Sequence, residues 1–175
     1  MPKAPRALSN KSCERELGET PLGHLQELEL KTLLGYQVAQ ASIVTLRVFD
    51  ETVGQAQGLR TVDYTVLALI RANKAVSPAQ LAKALDLSPS YITLALDRLE
   101  TRGLVTRATN EADRRGQRLH TTAAGGALAL RLTQQLLAAE SDAFQTLSSV
   151  ERLMLAELLH KLARSRRCAE EPSRS

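Results

Sequence analysis

Apolar positions recur at helical spacing over most of the chain. From Leu22 onward, Leu25, Leu28, Leu33, Tyr36, Val38, Ile43, Val44, Leu46 and Val48 follow one another mostly every two to five residues, which predicts a long first helix with an apolar stripe. It is expected to run to about Val53, with Gly54 and Gly58 as stops. A second helix is predicted from Thr61 as N-cap through Tyr64, Val66, Leu67, Leu69 and Ile70 to Asn73 and Lys74. Ser77-Pro78 and Ser88-Pro89 both read as helix starts, serine capping and proline taking the first helical position. The first opens a short helix bearing Leu81, Ala82 and Leu85. The second opens a helix to about Arg102, closed by Gly103. The period then changes. Residues 104–107 and 117–120 are strand-like runs around a polar tip, Asn110 to Gly116, which predicts a β-hairpin with a long mobile loop. Thr122 is expected to cap a long helix carrying Leu128, Leu130, Leu132, Leu136 and Leu137. A last helix, about 148–164, carries Val150, Leu153, Met154, Leu155, Leu158, Leu159 and Leu162.

Within this order, a short helix, a tight connection at Asp86-Leu87 and a second helix form a helix-turn-helix arrangement. In the second helix Ile92, Ala95, Leu96 and Leu99 share the core face, leaving Ser90, Tyr91, Thr93, Leu94, Asp97 and Arg98 outward. Hydroxyls and an aromatic ring at a helix N-terminus suit phosphate and base-edge contact in a major groove, and Ser88 would present backbone N–H groups to a phosphate. Taken alone, the same two helices fit an ordinary hairpin in a bundle.

The predicted β-hairpin adds charge. Arg102, Arg107, Arg114, Arg115 and Arg118 face only two acids, Glu111 and Asp113. Arginines on a β-tip beside a recognition helix suit the negative potential of an adjacent minor groove; the plainer alternative is a solvated loop. Asp113 would repel phosphate, so it is assigned to a bidentate pair with Arg115 that shapes the wing. The DNA-contact candidates are therefore Ser88, Ser90, Tyr91, Thr93, Leu94, Arg98, Arg107, Arg114, Arg115 and Arg118.

Composition narrows the classes. The 175 residues carry a formal charge of +4, with Leu and Ala dominating the apolar set and aromatics at 3%, which favours helix and fits a polyanionic partner. Cys13 and Cys168 are far apart with no CxxC, and His24, His120 and His160 lack ligand spacing, so neither a disulfide framework nor a metal site is expected. No apolar run approaches the ~20 residues of a membrane span, and the N-terminus lacks the apolar segment of a secretory signal; a cytoplasmic protein without membrane contact is expected. There is no Gly-rich phosphate loop, GxSxG or HExxH, so neither an enzyme nor a cofactor is expected. The terminal leucine stripes, Leu25 and Leu28 in the first helix and Leu155, Leu159 and Leu162 in the last, are too broad for the solvent side of a small monomer and predict a homodimer.

The run LAKALDLSPSYITLALDRLETRGLVTRATNEADRRGQRLHTTAAG, at 81–125, resembles the signature region of the MarR family of bacterial regulators, including the Asp113-Arg114-Arg115 of the wing. The resemblance implies a homodimer whose terminal helices interlock and place two winged lobes on a pseudo-palindromic double-stranded DNA operator. It further implies a repressor released by a small ligand, commonly an aromatic carboxylate or its thioester, bound between the dimerisation helices and the DNA-binding lobe. Ser88, Ser90, Tyr91 and Thr93 match the family's recognition-helix contacts, and Asp113 and Arg115 its wing pair. The chain departs at Tyr91 and Leu94, where relatives often carry smaller or basic side chains, which leaves the operator sequence open. Tyr36 and Arg47 are the ligand-binding candidates.

The expected architecture is thus a mostly α (α+β) fold. A flexible arm (1–21) and a disordered tail (165–175) flank a helical dimerisation region (22–58 and 122–164) and a winged helix-turn-helix lobe (59–121) with a two-stranded β-wing. An α-helical adaptor that binds protein rather than DNA is the alternative.

Overall fold

Helix signals account for most of the chain, and the strand signals give one antiparallel hairpin. The computed structural model describes residues 18–110 and 113–167, with the backbone alone at 109, 110, 113–116 and 167. In chain order the elements are α1 (Leu34–Phe49), α2 (Thr61–Ala72), α3 (Pro78–Leu85), α4 (Pro89–Thr101), β1 (Val105–Asn110), β2 (Asp113–Thr121), α5 (Ala123–Ala143) and α6 (Ser149–Arg164). The chain divides into two units, Met1–Arg47 and Val48–Ser175, with the boundary inside α1.

In the first unit the helix expected from Leu22 starts later. Glu19 and Gln26 form an antiparallel bridge, the Thr20 hydroxyl accepts from the Leu25 amide at 3.1 Å, and a 3-10 turn at Leu28–Thr32 precedes α1. Pro21 and Gly23 supply turn chemistry inside the periodic run, and local turn bonds outcompete helix there. Glu27 is buried, whereas Leu25 is 68% exposed and Leu22, Leu28 and Leu34 are also open.

After α1 the chain does not stop at Gly54. It passes through a π-helical turn, Asp50–Gly54, and a last α-helical turn, Gln55–Gln57, and ends at Gly58, whose φ of 60° is the left-handed conformation that terminates helices. The cap of α2 is Arg60 rather than Thr61, without a side-chain cap bond. Ser77 does cap α3, in a capping box with Gln80, and Ser88 and Thr122 cap α4 and α5.

The core of the second unit joins Phe49 and Val53 to Leu59, Val66, Leu67 and Ile70, to Leu81, to Ile92, Leu96 and Leu99, and to Leu119, Ala129 and Leu132. The pairing Val105↔Thr121, Arg107↔Leu119 and Asn110↔Asp113 shows that strand extends into the segment expected as a loop, with an irregularity between Thr109 and Asn110. The Leu119 amide donates to the Val76 carbonyl at 2.8 Å, tying the strand to the entrance of α3. α6 starts at a Ser148–Glu151 capping box but buries none of its residues; Leu153 is 73% exposed. Among the described residues no helix is long and apolar enough to cross a membrane, and no group of three His, Cys, Asp or Glu could hold a metal.

Candidate nucleic-acid interface

The connection between α3 and α4 is tight because Asp86 takes a left-handed conformation, φ 54°, which a short polar side chain tolerates. The Leu87 amide then donates to the Ala82 carbonyl at 3.0 Å. Ser88 follows as N-cap of α4, its hydroxyl accepting from the Tyr91 amide at 3.3 Å and lying 3.4 Å from the Ser90 hydroxyl. Ile92, Ala95, Leu96 and Leu99 are buried in one stripe, as their spacing requires. On the other face Ser88, Ser90, Tyr91, Thr93 and Leu94 are exposed, Leu94 at 56%. A leucine exposed on this face suits contact with apolar groups such as a thymine methyl. The Thr93 hydroxyl donates to the Pro89 carbonyl at 3.0 Å, leaving its lone pairs to accept.

Two of the arginine candidates are occupied within the fold. Arg98, on α4, forks onto Asp63 of α2, with Nε 3.0 Å from Oδ2 and Nη2 2.6 Å from Oδ1. Asp63 is 3% exposed against 32% for Arg98, and its hydrogen bond raises the guanidinium above an already high ordinary pKa. Arg107, on β1, reaches back to α4: Nη2 lies 2.5 Å from Asp97 Oδ1 and Nε 3.0 Å from Glu100 Oε2. The second contact is a misaligned charge pair, since Nε makes no hydrogen bond. Strand alternation explains the arrangement. Val105 and Arg107 pair with Thr121 and Leu119 on the face turned to the core, whereas Arg118 pairs with Ala108 on the opposite face. Arg118 is half-buried. The side chains of Asp113, Arg114 and Arg115 lie outside the described residues, as does Cys13.

Reading the pattern outward from α4 missed Asp63, although a signal for it exists. Asp63, Val66, Leu67 and Ile70 occupy i, i+3, i+4 and i+7 and are all buried, so a carboxylate stands in core register on α2. A buried charge demands a cation, and Arg98 answers it.

The remaining candidates are distributed. The Tyr36 hydroxyl donates to Glu27 at 2.8 Å, and this bond raises its pKa above the usual phenol value. Arg47 is exposed. Leu25, Leu28, Leu155, Leu159 and Leu162 are all exposed in the single chain.

With this geometry in hand, known proteins give a consistent match. The profile of the MarR family matches residues 59–116, from two residues before α2 into the wing. A transcriptional regulatory protein for the hcr operon of Thauera aromatica is 33% identical over 75% of this chain and 79% of its own length. The HTH-type transcriptional regulator PecS of Dickeya dadantii is 30% identical over 71% and 76%. Among solved structures, the transcriptional repressor CouR bound to a 23-mer DNA duplex superposes with a TM-score of 0.72 at 29% identity, covering 79% of this chain and 98% of that one. This chain belongs to the MarR family of winged helix-turn-helix transcriptional regulators.

Proposed function

We propose that the chain binds a pseudo-palindromic operator in double-stranded DNA as a homodimer and represses transcription until a small effector releases it. The observation that carries the reading is the division of α4 into two faces. One is fully buried, and the other offers Ser88, Ser90, Tyr91, Thr93 and Leu94 at the end that would enter a major groove. Arg118, with Arg114 and Arg115 of the wing, supplies the cationic contacts, and Asp113 pairs with Arg115. The DNA-bound state and repressor role of CouR support the same assignment. The dimer is supported by the leucines exposed in each terminal region, 22–58 and 122–164, taken separately: apolar stripes of this breadth call for a covering partner, and a second copy supplies matching stripes.

The effector we assign is an aromatic acid or its thioester, with Tyr36 and Arg47 contacting it. A ligand that prefers the geometry unable to span two half-sites shifts the population away from DNA.

Fluorescence anisotropy of the full chain on DNA from upstream of its own gene, over a salt series and beside an unrelated duplex, tests the proposal. Sequence-selective binding that weakens with salt and falls in Arg115→Ala is the expected result. Equal, flat anisotropy on every duplex from a folded protein would overturn it and favour a protein-binding adaptor.

A further inference from the structure

Arg98 lies on the helix that reads DNA, yet its guanidinium points at a carboxylate inside the fold. Three observations bear on what it does there. The first is the fork itself: both Nε and Nη2 bind the Asp63 carboxylate, a two-point contact that fixes orientation as well as distance. The second is position on α4. Tyr91, Leu94 and Arg98 fall at i, i+3 and i+7, one stripe of a helix with 3.6 residues per turn. The angle at which Arg98 is held is therefore the angle at which Tyr91 and Leu94 are presented. The third is the wing. Asp97 and Glu100, on either side of Arg98 in sequence, are both engaged by Arg107 of β1. α4 is thus held by charge from α2 and from the wing, in addition to the apolar contact made by Ile92, Ala95, Leu96 and Leu99.

We propose that Arg98 is a positioning residue: its fork onto Asp63 sets the rotation of the recognition helix, so that the pair governs discrimination between operator and other DNA without contacting a phosphate. This rests on the DNA-binding reading above and assigns a part of it to a residue remote from the helix N-terminus. A phosphate contact and a rotational brace differ in three measurable ways. A phosphate-binding cation strengthens all duplexes alike and contributes about 0.9 to the slope of log K against log salt. Lysine replaces it tolerably as a point charge but cannot reproduce a bidentate fork. A brace fails whichever partner is removed, and removing both does no further harm.

The test uses the full-length protein, the duplex it enriches from a random-sequence pool and a scrambled duplex of equal length. Anisotropy over a potassium chloride series compares wild type with Asp63→Asn, Arg98→Lys and the double variant, each with its melting curve. The expected result is a loss of about tenfold in the ratio of selected to scrambled affinity for either single change, no further loss in the double, and an unchanged salt slope. If Asp63→Asn does not fold, Arg98→Lys, which keeps the charge, decides by the same ratio and slope. Wild-type behaviour of Arg98→Lys overturns the proposal, as does a melting temperature that falls while the ratio stays constant. Enrichment of no duplex by the wild type overturns the DNA-binding reading itself, an outcome distinct from selective binding that ignores the two substitutions.

Discussion

Gly125, in the first turn of α5, backs onto the carbonyl oxygen of Leu104 at the foot of the wing so closely that a Cβ there would overlap it. Two bonds hold the approach in place: the Thr122 amide donates to the Leu104 carbonyl at 3.1 Å and the Thr122 hydroxyl to the Gly103 carbonyl at 2.8 Å. The obstacle is backbone, which has no rotamer to give. Gly125→Ala should therefore destabilise the fold by about 3 kcal/mol, at the upper end of overpacking effects. At Gly126 the first atom met is the Thr121 hydroxyl oxygen at 3.5 Å, an ordinary contact, so Gly126→Ala should stabilise by roughly 0.5–1 kcal/mol through helix propensity. Urea denaturation of the two variants should move the midpoint in opposite directions.

Removing the Asp63 carboxylate outright, in Asp63→Ala, leaves a two-thirds buried guanidinium without its counter-charge. Breaking such a pair from one side costs several kcal/mol when fully buried; with Arg98 partly exposed, about 2 kcal/mol is expected. Asp63→Ala combined with Arg98→Met should recover part of it, because no charge is then stranded. Equal stability of Asp63→Ala and wild type would mean that solvent already satisfies Arg98.

The leucines of α6 give a mass test. Light scattering should return about twice the 19.1 kDa of one chain, and Leu155→Glu with Leu159→Glu should return the single-chain mass, since two carboxylates cannot be buried in an apolar contact. A wild-type mass near 19.1 kDa at micromolar concentration excludes the dimer.

Glu151 supplies the pH dependence. Its carboxylate accepts from the Ser148 hydroxyl at 2.7 Å and the Ser148 amide at 2.8 Å, and these bonds lower its pKa below the usual glutamate value. A depressed folded pKa means that the unfolded chain binds the proton first. The stabilisation is therefore present above the unfolded value and is lost as pH falls through the folded one. Protection of the first-turn amides of α6 against exchange, taken relative to the intrinsic rate at each pH, should fall over that acidic window, and Glu151→Gln should remove this pH dependence.

Arg47→Ala tests the effector assignment. A carboxylate effector paired with this guanidinium should need a higher concentration to release DNA from the variant, whereas a neutral amide analogue should respond equally to both proteins. Unchanged release by the acid removes Arg47 from the site.

The sequence by itself determined the order of the main helices and the hairpin, though not where the first helix begins or how far the strands run. Ser-Pro starts, the glycine stop at Gly58 and the four-residue core stripe of α4 are local codes: each follows from capping chemistry or side-chain period within one turn or two. The exposed residues at the start of α4 were legible for the same reason, being what remains once the core face is subtracted. What only tertiary structure decided lies between elements. Arg98 and Arg107 look like two more cations for phosphate in a linear reading, because charge and exposure are all that a sequence displays of them. Their carboxylates are Asp63, 35 residues away, and Asp97 and Glu100 across the turn into the wing. Which cation meets which carboxylate depends on the packing of α2, α4 and β1, and on the strand parity that turns Arg107 inward and Arg118 outward. Gly125 is the same case: its composition is unremarkable until α5 comes to rest against Leu104. A side chain's chemistry is local, but whether it is free to meet DNA is settled by the neighbours that folding brings to it.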